Sequence, residues 1–221
     1  YMQLHWSYDM PKVPTINGTA TFRWANMNRL GFGNNDLSLS YFCATQEAYL
    51  SHMKWRQFDI KGGLRNEIFD IRNIKSSQII GDYDFDQLTN DFVSMFIDAR
   101  TDTFDDGYLP SKGVMAGLSY AWTIGGFPHR FNNFHTLEAD VRGVIAFKDN
   151  VFLTPYFNTR MLFGKEIPVA YFNAVGGFVP GRYVRQQIPF VGMTSLVAMK
   201  NILTLYGAEL RQEVMNNHFV S

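Results

Sequence analysis

Cysteine is almost missing from this sequence. Its 221 residues hold one, Cys43, so no intrachain disulfide can form. Cys43 falls in phase with Leu37, Leu39 and Tyr41, and the alternation makes it a small filler of an apolar face. An excess of charge is missing too. Twenty Lys and Arg balance 20 Asp and Glu, for a formal net charge of zero. That balance removes the electrostatic basis for nucleic-acid binding and for a charged interaction tail. No run of 18 apolar residues occurs, so no segment reads as a transmembrane helix. No secretory leader precedes Tyr1, and the chain is expected to be mature, trimmed or a fragment.

Catalytic signatures are equally scarce. A hydrolase elbow needs Gly-x-Ser-x-Gly on a strand-to-helix turn. The nearest approach is Gly117-Leu118-Ser119-Tyr120-Ala121, which lies inside an alternating strand and lacks the last glycine. Ser119 is therefore expected to be a small residue on a polar face. His5, His52, His129, His135 and His218 have no metal-ligand spacing. Asp82, Asp84 and Asp86 alternate, but neither the glycine nor the closing glutamate of a calcium loop follows, and a solvated loop is expected. No phosphate-binding glycine loop is present. The chain is expected to hold no catalytic residue, no metal and no cofactor.

Aromatic residues and period-2 alternation are abundant. Aromatics make up 16%, with 20 Phe and 11 Tyr. The clearest alternation runs from Phe134 to Phe163. Leu137, Ala139, Val141, Gly143, Ile145 and Phe147 share one face of a first strand, and Thr136, Glu138, Asp140, Arg142, Val144 and Ala146 share the other. After a turn at Lys148-Asp149-Asn150, Val151, Leu153, Phe157, Met161 and Phe163 oppose Thr154, Tyr156, Asn158 and Arg160. Such a pattern is a β-hairpin. Pairing Phe147 with Val151 sets Val141 against Phe157, Asp140 against Asn158 and Glu138 against Arg160. A one-residue slip would set apolar faces against polar ones. The strands are long enough to cross a bilayer at a tilt.

Other strands follow in order. Met2–Tyr8 alternates and is closed by Pro11 and Pro14. Asn17-Gly18 opens a strand with Ala20, Phe22 and Trp24 against Thr19, Thr21 and Arg23. Leu37–Ala44 is a third strand, and residues 45–52 are ambiguous. Met53 to Phe69 reads as one or two strands, with a bend or bulge at Gly62-Gly63. Residues 70–86 read as an extended polar loop. Leu88–Ala99 and Val114–Ile124 are strands. Phe172–Phe178 is a short strand, and residues 179–196 are a long connection. The last full strand is Asn201–Val214, with Ile202, Tyr206, Ala208, Leu210 and Val214 opposite Glu209, Arg211 and Glu213. His218-Phe219-Val220 opens another. No fixed repeat supports a propeller or solenoid.

Two stretches resemble a known family. The turn Asp102-Thr103-Phe104-Asp105-Asp106-Gly107-Tyr108-Leu109-Pro110-Ser111-Lys112-Gly113 resembles that of the bacterial surface-antigen barrels, part of the outer-membrane assembly-factor superfamily. The stretches Trp55–Phe58, Gly63–Phe69, Val175–Gly177, Gly181–Tyr183 and Gln186–Phe190 resemble the C-terminal barrel of patatin-like phospholipases from Bacteroidetes-type bacteria. The resemblance implies a barrel of about 16 strands. A periplasmic adaptor and a patatin hydrolase with a Ser–Asp dyad would precede it. Neither dyad motif stands in this chain, so no catalytic residue carries over. Gly181-Arg182-Tyr183 replaces the family's Val-Arg-Gly-Tyr/Phe signature, and Arg182 is either a lumen arginine, as in the family, or a surface one.

The expected fold is all-β, an antiparallel transmembrane β-barrel seen in part, with about 10–12 of the family's strands present. Residues 1–221 would form one barrel domain, truncated at both ends. Its apolar face would meet lipid, and Glu138, Asp140, Arg142, Arg160, Arg182, Glu209 and Arg211 would line the lumen. The expected role is an anchor in the bacterial outer membrane for a lipid acyl hydrolase. Outer-membrane lipids are the expected partners, and a homodimer is compatible with that role. The alternatives are a transport or assembly barrel of the same superfamily, and a soluble barrel with the faces inverted around an apolar ligand.

Overall fold

The computed structural model describes residues 2–8, 14–32, 35–76, 89–127, 133–148, 150–165, 167–168, 171–176, 186–188, 190, 196–199, 201–215 and 218–220. Asp82, Asp84, Asp86 and Arg182 lie outside them. The strands are β1 (Met2–Tyr8), β2 (Thr15–Phe32), β3 (Asn35–Trp55), β4 (Phe58–Ser76), β5 (Thr89–Asp102), β6 (Gly113–Phe127), β7 (Phe134–Lys148), β8 (Val151–Gly164), β9 (Asn173–Val175), β10 (Gln187–Ile188), β11 (Leu196–Met199), β12 (Ile202–Met215) and β13 (His218–Val220). No α-helix occurs among the described residues.

All thirteen strands belong to one sheet. Strands β1 to β8 pair antiparallel in sequence order, then β8 pairs β12 and β12 pairs β13. The short strands β9, β10 and β11 form a side branch, with β11 antiparallel to β9 and parallel to the end of β2. Eight strands have 14 residues or more. At ~3.3 Å per residue and a tilt of ~40°, 14 residues span roughly 35 Å, enough for a bilayer's hydrocarbon core.

The two faces are unlike, and their direction settles which is outside. Leu64, Val93, Met95, Ile97, Val114, Leu118, Val141, Ile145, Phe157 and Leu210 are all exposed. On the same strands Arg65, Glu67, Ser94, Asp98, Thr123, Thr136 and Arg160 are buried. The inverted, soluble barrel is thereby corrected: apolar side chains point out and polar ones in.

The hairpin of β7 and β8 pairs Val141 with Phe157, Asp140 with Asn158 and Glu138 with Arg160, as the alternation requires. Near the turn the register shifts. Lys148, not Phe147, faces Val151, so Phe147 is the extra residue of a bulge. Elsewhere the strands run longer than their patterns suggest. Strand β3 passes through residues 45–52, and β4 continues to Ser76 instead of ending near Phe69. The bulge expected at Gly62-Gly63 sits across the ladder, between Leu50 and Met53, where His52 has φ 62°. Gly63 is needed for a different reason. A Cβ there would lie 2.1 Å from the Ala48 carbonyl oxygen.

Cys43 requires a correction. Its face continues through Thr45 and Glu47 and turns inward, where its Sγ lies 3.5 Å from Thr45 Oγ1. It is buried in the barrel interior and does not fill the outer apolar surface.

These faces and this register predict a labelling pattern. Val141→Cys and Phe157→Cys together should crosslink, and each alone should react with lipid-soluble thiol reagents. Asp140→Cys should react only with water-soluble ones. Labelling of Asp140→Cys from the membrane phase would invert the assignment.

Candidate functional site

The connection after β8 folds into the concave side of the sheet. Ile167, Tyr171, Phe172, Asn173, Ala174 and Val175 are all buried. Tyr171 is the centre of this inward segment. Its ring meets Phe69 at 5.4 Å, Phe92 at 5.2 Å and Phe134 at 4.8 Å, each edge to face. Those three residues come from β4, β5 and β7, so one side chain touches three walls of a curled sheet. Edge-to-face pairs at these distances add to the stabilisation from area burial alone.

Polar contacts hold the same segment. The Tyr171 hydroxyl donates to Glu67 Oε2 at 2.8 Å. Arg160 Nη1 donates to the Tyr171 carbonyl at 2.8 Å and to Asn173 Oδ1 at 2.6 Å. Arg160 Nε donates to Glu138 Oε1 at 2.7 Å. A guanidinium is a planar fork, so fixing Nε also fixes the direction of Nη1. Next along the wall, Arg65 pairs with Glu47 at 2.6 Å and lies 4.4 Å over the Phe96 ring. Lys61 pairs with Asp98 at 3.1 Å, and Ser119 donates to the same carboxylate.

The expected lumen residues do not form one network. Glu138 and Arg160 meet and serve the inward segment. Asp140 faces inward and covers Gly117, where a Cβ would come 2.5 Å from its carboxylate. Arg142 and Glu209 are exposed and make no ion pair among the described residues. Arg211 is buried apart from the others. It donates to the Pro110 carbonyl and stacks 4.9 Å over Phe152. Glu67, Tyr171 and Asn173 were not among the expected residues. The alternation of Arg65, Glu67 and Phe69 could have found the first; Tyr171 lies in the connection before the short strand at 172–178, and Asn173 is an uncharged residue within it.

The chain matches the sequence model of the OMP85 superfamily over residues 13–221. The chain belongs to the OMP85 superfamily. No curated protein and no solved structure matches it. Members of the superfamily are outer-membrane β-barrels, so this is a barrel module of the bacterial outer membrane. The turns 56–57 and 103–112 join β3 to β4 and β5 to β6 and so lie at one end of the sheet, and the inward segment follows β8 at the other.

The turn 103–112 is built by side chains that replace missing ladder bonds. Asp105 accepts from the Ser111 amide at 2.9 Å, the Ser111 hydroxyl at 2.5 Å and the Lys112 amide at 3.2 Å. Asp106 accepts from the Tyr108 and Leu109 amides at 2.7 and 2.9 Å. Thr103 Oγ1 bonds both the amide and the carbonyl of Val114 at 2.9 Å. Gly113 has φ 110°, and a Cβ there would meet the Thr103 carbonyl oxygen at 2.3 Å. With the Phe104 amide donating to Asp102 Oδ1 at 3.0 Å, this accounts physically for the Asp-Thr-x-Asp and final Gly of the motif. Arg211 then ties Pro110 to β12.

Hydrogen bonds from the Ser111 hydroxyl and the Lys112 and Ser111 amides hold the Asp105 carboxyl down at about 2. A lowered folded-state value contributes order that is complete above the unfolded value of ~3.9 and lost as pH falls through about 2. Protection of the Ser111 amide, taken relative to the intrinsic exchange rate at each pH, should therefore be level above pH ~4 and fall between ~4 and ~2. In Asp105→Asn that step should vanish.

Charge burial generates a second contrast. Arg160→Met removes the donor to the buried Tyr171 carbonyl and Asn173 Oδ1, and should cost roughly 2 kcal/mol. Arg142→Met, at an exposed position, should stay within about 0.5 kcal/mol. Urea midpoints for loss of the fast-migrating unboiled band would measure both.

Proposed function

We propose that this OMP85 barrel is a plugged membrane anchor that holds an N-terminal patatin-like lipid acyl hydrolase at the outer membrane. The observation that carries the reading is the inward segment. Its buried run from Tyr171 to Val175 packs against β4, β5, β7 and β8 and takes up the space that a conduit would leave to water. A barrel filled from within, with a lipid-facing apolar surface, suits anchoring better than bulk passage. The resemblance of the Gly63–Phe69 and Gln186–Phe190 stretches to patatin-linked barrels is what suggests the enzyme. The hydrolase would supply its own serine and aspartate from outside residues 1–221.

A transport or assembly barrel of the same superfamily is the second reading, supported by superfamily membership itself. The two separate cleanly in the full-length protein. An anchor predicts a Gly-x-Ser-x-Gly motif upstream and phospholipid hydrolysis by outer-membrane fractions. Activity should disappear when that serine becomes alanine, while the heat-dependent gel shift of the barrel persists. Tandem small periplasmic repeats upstream, with no hydrolysis of phospholipid vesicles, would favour the assembly reading.

A further inference from the structure

Two primary amides stand on the outward face of the sheet, among side chains that are mostly apolar. Asn66 alternates with the exposed Leu64 on β4, and Gln46 faces Asn66 across the ladder on β3. Gln46 is exposed. Asn66 is half-buried, and its Oδ1 is covered without a hydrogen-bond partner among the described residues. Asn66 lies near the middle of the 19 residues of β4, away from either strand end. An amide held at that depth in a membrane has no water to bond, and leaving it unpaired is costly.

The neighbours of this pair are small. On the same rung β2 contributes Ala20, and the outward positions of β3 on either side of Gln46 are Ala44 and Ala48. Larger side chains ring them, with Leu4 on β1, Phe22 on β2, Leu64 on β4 and Val93 on β5. The face is thus a shallow depression with amides at its floor. Helices that meet inside membranes use the same two devices, small residues for close approach and Asn or Gln side chains that bond across the contact.

We propose that this face of β2 to β4 docks a second copy of the chain, with Gln46 of each copy bonded to the partner's Asn66. Symmetry favours a second copy over other partners. Two like barrels in one membrane are related by a two-fold axis along the membrane normal. An axis set between β3 and β4 brings Gln46 opposite the partner's Asn66, and Asn66 opposite the partner's Gln46. Each amide carries both a donor and an acceptor, so the contact is complementary to itself and occurs twice. Neighbouring strands ~4.8 Å apart and tilted by ~40° offset the two residues in height by roughly 3 Å, within reach of a Gln side chain. The Asn66 amide turns about a broad last torsion, which lets its covered oxygen swing to an arriving donor. This contact needs the membrane barrel and not the hydrolase.

The test is thiol crosslinking in outer membranes that hold the full-length protein in two tagged forms, one with Gln46→Cys and one with Asn66→Cys. Pairing these forms sets thiol against thiol at one contact and leaves the other Gln46–Asn66 contact intact. Cys43 is buried, so the introduced thiol is the accessible one in this barrel. Oxidation should join the two tags. Leu210→Cys, exposed on β12, should give no such bond when it replaces Gln46→Cys. In lipid nanodiscs, Gln46→Leu with Asn66→Leu should weaken dimerisation about tenfold, the effect of losing two amide contacts. Gln46→Asn with Asn66→Gln preserves the reciprocity and should dimerise like the parent. Heat-dependent gel shifts check that every variant is a folded barrel. A folded parent that stays monomeric in nanodiscs would overturn the proposal. So would an equal bond from Leu210→Cys, an undiminished dimer in the double leucine variant, or crosslinking of position 46 only to a different protein. Absent phospholipid hydrolysis with the tag-to-tag bond intact would count against the anchor reading alone.

Discussion

Lipid offers no hydrogen bond to a peptide group. Every backbone N–H and C=O at membrane depth must therefore find its partner within the protein, and a curled sheet of long strands is one of only two solutions. The rest of this structure follows from that constraint. The strands must be long, because the hydrocarbon core is thick. Their outward residues must be apolar, because lipid is. Their inward residues are then free to be polar only if something inside satisfies them.

That last condition explains the lumen. Arg65, Glu67, Asp98, Thr136 and Arg160 are buried although they carry charges or hydroxyls. An isolated buried charge is costly, and these groups are paired in two ways. Wall pairs such as Arg65–Glu47 and Lys61–Asp98 join neighbouring strands. Arg160 and Glu67 instead spend part of their bonding capacity on the inward segment. Segment and wall thus complete each other. Ahead of β9, at Tyr171, the wall supplies a donor to the backbone carbonyl and an acceptor to the hydroxyl.

How much of this was legible follows from where alternation is clean. Register in the β7–β8 hairpin could be read because its two faces differ at every step, so a slip is penalised many times over. The bulge at Phe147 could not, because a single extra residue beside a turn leaves the pattern on either side intact. Cys43 misled for a related reason: Leu37, Leu39 and Tyr41 are apolar, but the face they share continues as Thr45 and Glu47, which point inward. Strand β4 beyond Phe69 was hidden by Asp70 and Arg72. Polar residues end strands in soluble proteins, but a barrel strand can run on past the membrane into water. Strand β9 falls within the short strand expected at Phe172–Phe178, but β10 and β11, of two and four residues, are too short for any period to show.

Charged residues on one face were legible as a class, but not their partners. Glu138 and Arg160 meet because they are directly cross-strand, a relation that register alone fixes. Arg211 faces the same interior yet bonds Pro110, 101 residues earlier, because the β5–β6 turn reaches over to β12. Glu67 and Tyr171 are 104 residues apart, and only the curl of the sheet brings them together. Local alternation encodes which face a residue takes. Curvature, summed over many strands, decides which of the inward residues can touch. Barrel interiors are accordingly where a sequence with a plainly readable fold conceals its site.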